Sequence, residues 1–275
     1  MTTPLLSLTD AGFRYDSHRW IFRNVALEVH PGEVLAILGR NGVGKSTLLN
    51  SLIGLHSLTE GHVELGGDPL DKLTAGERAH RIAYLPQMEG SGISYTVTEY
   101  LLMGRAPYIG LFSSPSKDDR AKVADVIEDL GLTALADRQL DQLSGGQRQQ
   151  VGIGRTLVQD APLIVLDEPT SALDLANQAK VLRKLRELRD AGYGVIFTTH
   201  NPDHALMLDA KVALLGAHGA EDKGTASTKT PAHLLTGTAD EVLTSEVLSE
   251  TFEAPLRVIY SPELDRKTVQ ISDIV

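Results

Sequence analysis

Runs of apolar residues divide the first part of the chain into short candidate strands. Residues 25–29 alternate apolar and polar positions, whereas Val34–Leu38 and Leu163–Leu166 are continuously apolar. Alternation is typical of a strand with one buried face, and a continuous run indicates a strand buried on both faces, as in a parallel sheet. The pattern therefore predicts one strand with an exposed face at residues 25–29 and buried, parallel strands at Val34–Leu38 and Leu163–Leu166.

A helical pattern occupies residues 96–160. Thr96 and Glu99 have the spacing of a capping box, and one helical stripe of apolar side chains ends before Gly131; its members are Val123, Val126, Ile127 and Leu130. The block is predicted to be a mostly helical insertion.

Strand and helix patterns alternate again after this block. We predict a helix over 175–191 that Gly192 ends, a strand at 195–199, and a helix that begins with Asn201 as its cap and Pro202 as its first residue. The order strand, helix, strand, helix predicts an α/β fold.

The C-terminal part carries weaker signals. Residues 216–237 are rich in Gly, Ala, Thr and Lys without periodicity, and they are predicted to form a mobile surface loop. Residues 238–252 and 256–260 predict a short helical and strand appendage. No internal repeat is visible.

Composition excludes several classes of protein. The 275 residues contain 26 Lys and Arg against 36 Asp and Glu, so the formal net charge is −10 and no nucleic-acid partner is expected. Without cysteine there is no disulfide framework, zinc-thiolate site or thiol nucleophile. The first residues predict no signal or transit peptide, and no apolar run approaches the roughly 20 residues of a membrane span.

The first chemical motif is a glycine-rich segment that follows the Val34–Leu38 strand. Residues 39–47 read GRNGVGKST, the phosphate-loop pattern G-x-x-x-x-G-K-[ST], and a helical segment follows. Glycines let several backbone N–H groups converge on a polyphosphate at a helix N-terminus. Lys45 adds a charge for the β and γ phosphates, and Ser46 adds a hydroxyl for Mg²⁺.

Two carboxylates, Asp167 and Glu168, end the Leu163–Leu166 strand. Because the chain turns there, both can face the crevice above the carboxyl edge of the sheet. Beside a phosphate loop, Asp167 suits the magnesium shell and Glu168 suits the polarising or positioning of the attacking water. Without such a loop, the same pair would indicate a solvated turn.

The third motif, LSGGQ at residues 143–147, directly precedes a helix. Ser144 and Gln147 form a capping box, so a well-capped helix start is one interpretation. Gly145 and Gly146 open the backbone at the helix N-terminus and favour a second anion site, far along the chain from the first. One nucleotide would then need both sites from one chain, or one from each of two chains.

Together these motifs resemble those of the nucleotide-binding ATPase subunits of ATP-binding cassette (ABC) transporters. LSGGQ is that family's signature, and the phosphate loop, Gln87, LSGGQ, LIVLDEP at 163–169, SALD at 171–174 and His200 occur in the family's order. The resemblance covers about residues 5–215. It implies an α/β phosphate-loop NTPase core with a RecA-like mixed sheet flanked by helices, an antiparallel β region at the N-terminus, and an inserted α-helical subdomain that carries the signature.

The resemblance implies one ABC ATPase domain over residues 1–275. Its parts are a core at 1–88 and 161–215, a helical signature subdomain at 89–160, and a C-terminal loop and appendage at 216–275.

The resemblance also implies a head-to-tail dimer of two copies that hydrolyses ATP. Each ATP would lie between the phosphate loop of one chain and residues 144–147 of the other. The implied catalytic residues are Glu168, His200, Gln87 and Lys45, and the implied metal ligands are Ser46, Gln87 and Asp167. The implied nucleotide contacts are Tyr15 (on the adenine), Gly39, Arg40, Asn41, Gly42, Val43, Gly44, Lys45, Ser46, Thr47, Ser144, Gly145, Gly146, Gln147 and Asp174.

A second resemblance concerns the insertion. GRAPY at 104–108, then Phe112 and KDD at 117–119, resemble ATPases of bacterial importers of iron-siderophore, haem and cobalamin. This implies integral-membrane permease partners, an extracytoplasmic substrate-binding protein, and a peripheral position on the cytoplasmic side of the inner membrane.

Three other interpretations remain open. The first is an importer ATPase for a metal ion or oxyanion. The second is a soluble ABC ATPase that remodels nucleic acid or ribosomes, which would usually carry two cassettes, a coiled-coil insertion or a basic surface. The third is a generic phosphate-loop kinase, in which LSGGQ would have no role.

Overall fold

A mostly parallel sheet forms the centre of the computed structural model, which describes residues 3–16, 20–87, 95–110, 112–171, 173–216 and 234–273. Among these residues, six strands lie in the order β10-β9-β3-β8-β7-β6. Only the β10–β9 pair of this sheet is antiparallel. The strands are β3 (Val34–Leu38), β6 (Ile82–Leu85), β7 (Leu163–Leu166), β8 (Gly194–Thr199), β9 (Lys211–Leu215) and β10 (Leu234–Thr238).

Successive side chains of these strands enter two different cores, because strand residues alternate between the faces of a sheet. Ala36 and Leu38 of β3 join one hydrophobic cluster, and Leu35 and Ile37 join the other. All five residues of β3 are buried. The continuous apolar runs therefore form doubly buried strands, as predicted.

An antiparallel sheet and one helix cover the face of the central sheet to which Leu35 and Ile37 point. This sheet has the order β2-β1-β4-β5. In β2, Val25, Leu27 and Val29 are buried while Ala26 and Glu28 are exposed, which confirms the predicted alternation. The elements are β1 (Leu6–Arg14), β2 (Trp20–Val29), β4 (Glu60–Leu65), β5 (Asp68–Pro69) and the helix α1 (Lys45–Leu52).

The insertion is helical, as predicted, and has its own hydrophobic cluster. The capping boxes Thr96–Glu99 and Ser144–Gln147 are both present. The apolar stripe that includes Val123 and Ile127 packs into the cluster, and the chain turns at Gly131 with φ 65°. The helices are α3 (Val97–Leu102), α4 (Lys117–Asp129) and α5 (Gly145–Gln159).

The opposite face, to which Ala36 and Leu38 point, is covered by α6 (Leu175–Asp190). Val181, Leu185 and Leu188 of this helix are buried. Gly192 follows it with φ 93°. The remaining helices are α2 (Ala75–Ala79), α7 (Pro202–Met207), α8 (Ala239–Val242) and α9 (Ser245–Phe252). Asn201 caps α7 through Asp203, with Pro202 as the first residue, as predicted.

The loop prediction for 216–237 is wrong at its C-terminal end. Leu234–Thr238 forms β10, which pairs antiparallel with β9. This strand is stabilised by its neighbour's unpaired edge rather than by its own apolar pattern, so periodicity could not reveal it. The rest of that prediction, at 217–233, lies outside the described residues.

The C-terminal appendage contains one strand more than expected. β11 (Leu256–Ser261) pairs with β12 (Arg266–Ile271) as an antiparallel hairpin. Val258 and Val269 pack against the core beside α7. Within the described residues, no helix is long and apolar enough to cross a membrane.

Candidate active site

The phosphate loop turns sharply between β3 and α1. Gly39, Gly42 and Gly44 have φ of 151°, 78° and 116°. A Cβ atom at Gly39 would lie 2.5 Å from the Leu215 carbonyl oxygen, and one at Gly44 would lie 2.6 Å from Ile21 Cγ2. Only glycine fits these two positions, because both the backbone angle and the available space exclude a side chain.

Lys45 begins α1 and is 5% exposed. Its Nζ donates to the carbonyl oxygens of Gly39 (3.0 Å) and Arg40 (3.2 Å) and lies 3.6 Å from Glu168 Oε1. Burial lowers the pKa of the Lys45 ammonium, while Glu168 and then Asp167 oppose that shift. An ammonium held beneath the loop can exchange carbonyl partners for phosphate oxygens.

The two carboxylates lie at the end of β7, as predicted, in different environments. Asp167 is 5% exposed and its Oδ1 accepts a hydrogen bond of 2.6 Å from Thr198. Glu168 has φ 46°, and its carbonyl oxygen accepts from Ser171 N (3.1 Å) and Oγ (2.9 Å). The Glu168 side chain reaches toward Lys45, which places a carboxylate beside the phosphate loop.

The signature segment forms the N-terminus of α5. Ser144 Oγ accepts from Gln147 N (3.3 Å), and Ser144 N donates to Gln147 Oε1 (3.0 Å). A Cβ atom at Gly146 would lie 2.7 Å from Asn177 Nδ2, and that amide donates to Asp174 Oδ2 (3.1 Å). The signature glycine and Asp174 are therefore neighbours within one chain, joined through Asn177.

Asp174 also caps α6 by accepting from Asn177 N at 2.8 Å. Tyr15 is 65% exposed, and its hydroxyl lies 3.2 Å from Thr47 Oγ1, so its ring lies beside the phosphate loop. Gln87 and His200 are exposed after the ends of β6 and β8. The roles inferred for Tyr15, Gln87 and His200 stay predictions.

The insertion segment that carries the importer resemblance contains packing residues and two exposed rings, Tyr108 and Phe112. A Cβ atom at Gly104 would lie 2.5 Å from the Arg155 carbonyl oxygen. Arg105 Nε donates to Asp119 at 2.8 Å, and hydrogen bonds from Ser116, with Arg105 second, lower the pKa of Asp119 to about 2. Phe112 is 97% exposed. The importer resemblance also implies a permease contact near Gln87 and in the segment 90–115, of which residues 90–94 and 111 lie outside the described residues.

Two contacts near the loop were not predicted. Arg40 forms an ion pair with Glu253, which follows α9 in the C-terminal appendage. Thr198 bonds both carboxylate residues at the end of β7. The only sequence signal for the second contact is the pair of threonines that ends an otherwise apolar strand.

His204 belongs to α7, shortly after His200 in the chain, and is 4% exposed. Its Nδ1 lies 3.2 Å from Thr199 Oγ1 and 3.4 Å from Thr170 Oγ1, and its Nε2 lies 3.2 Å from Asn201 Nδ2. Burial, with His200 as a second cause, lowers the pKa of His204 to about 4. The imidazole is therefore neutral near pH 7 and joins the segment after Glu168 to the start of α7.

We expect this neutral imidazole to make stability fall with acidity. Between its ordinary pKa of 6.5 and the folded value of about 4, the unfolded chain binds a proton that the folded chain does not. The contribution is complete above that window and is lost as the pH falls through it. Thermal unfolding between about pH 7.5 and 5 should show a Tm decrease about 4 °C larger for wild type than for His204→Gln.

The exposed His62 provides the control for that experiment, because His62→Gln should follow the wild-type curve. Parallel curves for wild type and His204→Gln would contradict the assignment of a suppressed imidazole pKa.

With this geometry in place, comparison with known proteins identifies the family. The model for ABC transporters matches residues 22–171. The chain belongs to the ABC transporter family. As an ABC ATP-binding subunit, it is an ATPase, and its phosphate-loop NTPase fold is the one that the motifs predict.

Two curated relatives resemble this ABC ATPase over most of their length. The molybdate import ATP-binding protein of Haemophilus influenzae is 35% identical over 252 residues, which cover 91% of this chain and 89% of the relative. The hemin import ATP-binding protein of Streptomyces coelicolor is 38% identical over 244 residues, which cover 89% of this chain and 82% of the relative.

Two solved structures are also similar. A structure described as an inward-facing conformation of a metal-chelate type ABC transporter has a TM-score of 0.81 at 33% identity, covering 98% of this chain and 97% of that one. A dimeric post-hydrolysis ATP-binding cassette bound to ADP and Pi has a TM-score of 0.66 at 27% identity, covering 76% of this chain and 93% of that one.

The residues of this ABC ATPase fit a magnesium–ATP ligand. Ser46, Asp167 and Gln87 offer hydroxyl, carboxylate and amide oxygens, and Mg²⁺ is usually bound by one or two carboxylates together with substrate phosphates. Within the described ranges, no group of three or more His, Asp or Glu residues could hold a metal on its own. A hydroxyl, one carboxylate and an amide oxygen are donors of the type that a phosphate-bound Mg²⁺ accepts.

Proposed function

We propose that this ABC ATPase drives an importer for a metal chelate of the haem or iron-siderophore class. The observation that carries the ATPase chemistry is the buried Lys45, which lies between the loop carbonyls and Glu168. The import direction and cargo class are supported by the hemin import relative and the metal-chelate type neighbour.

In this proposal, two copies bind two ATP molecules between them. The phosphate loop of one copy presents Lys45 and the N-terminus of α1, and the partner presents the capped N-terminus of its α5. Neither helix has an acidic residue in its first turn, so both keep the partial positive charge of a helix N-terminus available for phosphate. The dimeric cassette with ADP and Pi supports such an arrangement.

The residues of the chain would act as follows. Lys45 and the loop N–H groups bind the β and γ phosphates, Glu168 orients or activates the attacking water, and His200 hydrogen-bonds the γ phosphate. Ser46, Asp167 and Gln87 would hold Mg²⁺, which would neutralise phosphate charge when bound. Tyr15 stacks on adenine, and Asp174 reaches the partner chain.

Hydrolysis would separate the two copies, because the γ phosphate no longer bridges them. A relative movement of two parts of the chain would follow: the core at 1–88 and 161–215, and the helical part at 89–160. This movement would be transmitted to a permease docked near Gln87 and the segment 90–115. The chain would lie on the cytoplasmic side of the inner membrane, held there by the permease, which receives cargo from a substrate-binding protein.

A second candidate cargo is an oxyanion. The 35% identity to a molybdate import subunit favours it. The ATPase subunit would contact no cargo in either case, so the ATPase site does not distinguish the two.

We expect a polytopic permease to co-purify with the tagged chain when the chain is isolated from its native membranes. Adding the cognate binding protein should raise ATP turnover of the complex when that protein is loaded with haem or a ferric siderophore. Stimulation by a molybdate-loaded protein would transfer the assignment to the oxyanion importer. Ribosomes or DNA as the only companions would contradict the importer.

A further inference from the structure

Thr198 occupies a central position in the sheet. It belongs to β8, which lies between β3, the strand before the phosphate loop, and β7, the strand before the two carboxylates. Its exposure is 0%, and the three residues before it, Val195, Ile196 and Phe197, are buried apolar side chains. Valine would suit this buried parallel strand equally well, so packing alone does not explain a hydroxyl here.

The hydroxyl makes two short hydrogen bonds with the end of β7. The Glu168 N–H donates to Thr198 Oγ1 at 2.7 Å, and Thr198 Oγ1 donates to Asp167 Oδ1 at 2.6 Å. A hydroxyl has one proton and can accept at the same time, so a single group satisfies both partners. It fixes the Asp167 carboxylate and the Glu168 main chain relative to each other.

Glu168 needs such a restraint because its backbone is unusual. Its φ of 46° lies in the left-handed region, which costs free energy for a residue other than glycine and persists only where the surroundings enforce it. Ser171 holds the carbonyl side of the residue through N and Oγ. Thr198 holds the N–H side, so the two together direct the Glu168 side chain toward Lys45.

The neighbouring Thr199 serves a different part of the site. Its Oγ1 accepts from Asn201 N at 3.1 Å and lies 3.2 Å from His204 Nδ1. Adjacent residues of a strand point to opposite faces. Thr198 therefore faces Asp167 and Glu168, whereas Thr199 faces Asn201 and His204.

We propose that Thr198 is a positioning residue for ATP hydrolysis. It acts through Asp167 and Glu168 and touches neither ATP nor water itself. The inference rests on the proposed roles of those two carboxylates. A valine at this position would leave the Glu168 N–H without its acceptor and one Asp167 oxygen without its donor, and the Glu168 backbone could then relax.

The test compares Thr198→Val with Thr198→Ser, which keeps the hydroxyl. The control is Thr156→Val, which removes another buried hydroxyl, one that donates to Ile153 O within α5. Three quantities are measured: kcat and KM for ATP, ATP affinity by calorimetry in metal-free buffer, and amide hydrogen exchange of a peptide that contains Glu168.

We expect Thr198→Val to lower kcat about tenfold to a hundredfold, the size of a lost hydrogen bond to a charged group. Its ATP affinity should change by less than about threefold, because the phosphate loop is untouched. Exchange of the Glu168 peptide should become faster, and Thr198→Ser should restore both kcat and slow exchange. Thr156→Val should match wild type in kcat and in this exchange. If Thr198→Val does not fold, Thr198→Ala removes the same hydroxyl and should give the same pattern.

The inference is overturned if the hydroxyl-free variants keep wild-type kcat, or if Thr198→Ser is as slow as they are. It is also overturned if they lose metal-free ATP affinity in proportion to kcat, which would indicate a general packing defect. Failure of the proposed function gives a different result, in which the wild-type chain hydrolyses no ATP or Glu168→Gln is as active as wild type.

Discussion

Glu168→Gln should bind ATP and fail to hydrolyse it, leaving an ATP-dependent dimer that does not separate. The substitution keeps the shape of the side chain and removes the carboxylate that would orient or activate water, so turnover should fall by about 10²–10⁴-fold. ATP affinity should be equal or higher, because a negative charge 3.6 Å from Lys45 is removed from the phosphate site. Phosphate release measures turnover, and size-exclusion chromatography with and without ATP measures the dimer.

Two further variants make this result specific. Glu253→Gln makes the same chemical change beside the loop, at an exposed carboxylate that pairs with Arg40, and it should leave turnover within about twofold of wild type. Adding Ser144→Arg to Glu168→Gln should abolish the dimer by blocking the partner's contact with phosphate. Near-wild-type turnover of Glu168→Gln would remove Glu168 from the chemistry. A strictly monomeric Glu168→Gln chain, with ATP and permease present, would contradict the two-copy site.

The parts of the site that sequence reasoning located depend on interactions over a few residues. The capping box of Ser144 and Gln147 joins residues three apart, and two of the loop glycines with positive φ stand at the positions that the phosphate-loop motif specifies. Residue type and spacing determine such contacts before any tertiary structure forms. The same locality explains why the capping box of Thr96 and Glu99 was predicted correctly.

The parts that sequence reasoning missed depend on which strands become neighbours. Thr198 meets Asp167 only because β8 lies beside β7, 31 positions later in the chain. β10 exists because β9 offers it an edge, and Arg40 pairs with Glu253 because the appendage folds back toward the loop. No periodicity in a single segment encodes these contacts.

The left-handed backbone of Glu168 shows both kinds of information in one residue. Its chemistry is visible in the sequence as a carboxylate after a buried strand that follows a phosphate loop. Its conformation is not visible, since glutamate ordinarily avoids φ of 46° and the restraint comes from Thr198 and Ser171. The sequence thus predicts which group acts, and the structure shows how that group is held in place.

Lys45→Ala should weaken ATP binding itself, in contrast to Glu168→Gln. The ammonium is buried and bonded to two loop carbonyls, so a triphosphate finds a desolvated cation already in place. Its loss also leaves Glu168 as an unpaired negative charge facing the phosphates. We expect ATP affinity, measured by calorimetry with Mg-ATP, to fall about tenfold to a hundredfold.

The matched control is Lys72→Ala, which removes the same charge from an exposed turn away from the loop and should leave affinity unchanged. If both variants bind ATP as wild type does, Lys45 serves the loop carbonyls and Glu168 and not a phosphate, and its role is structural. A loss confined to Lys45→Ala, with the melting temperature preserved, would instead mean that the buried ammonium is kept in the fold for the nucleotide. Burial of the Lys45 ammonium costs free energy that its carbonyl partners and Glu168 offset only in part, so the second outcome is the one that the geometry favours.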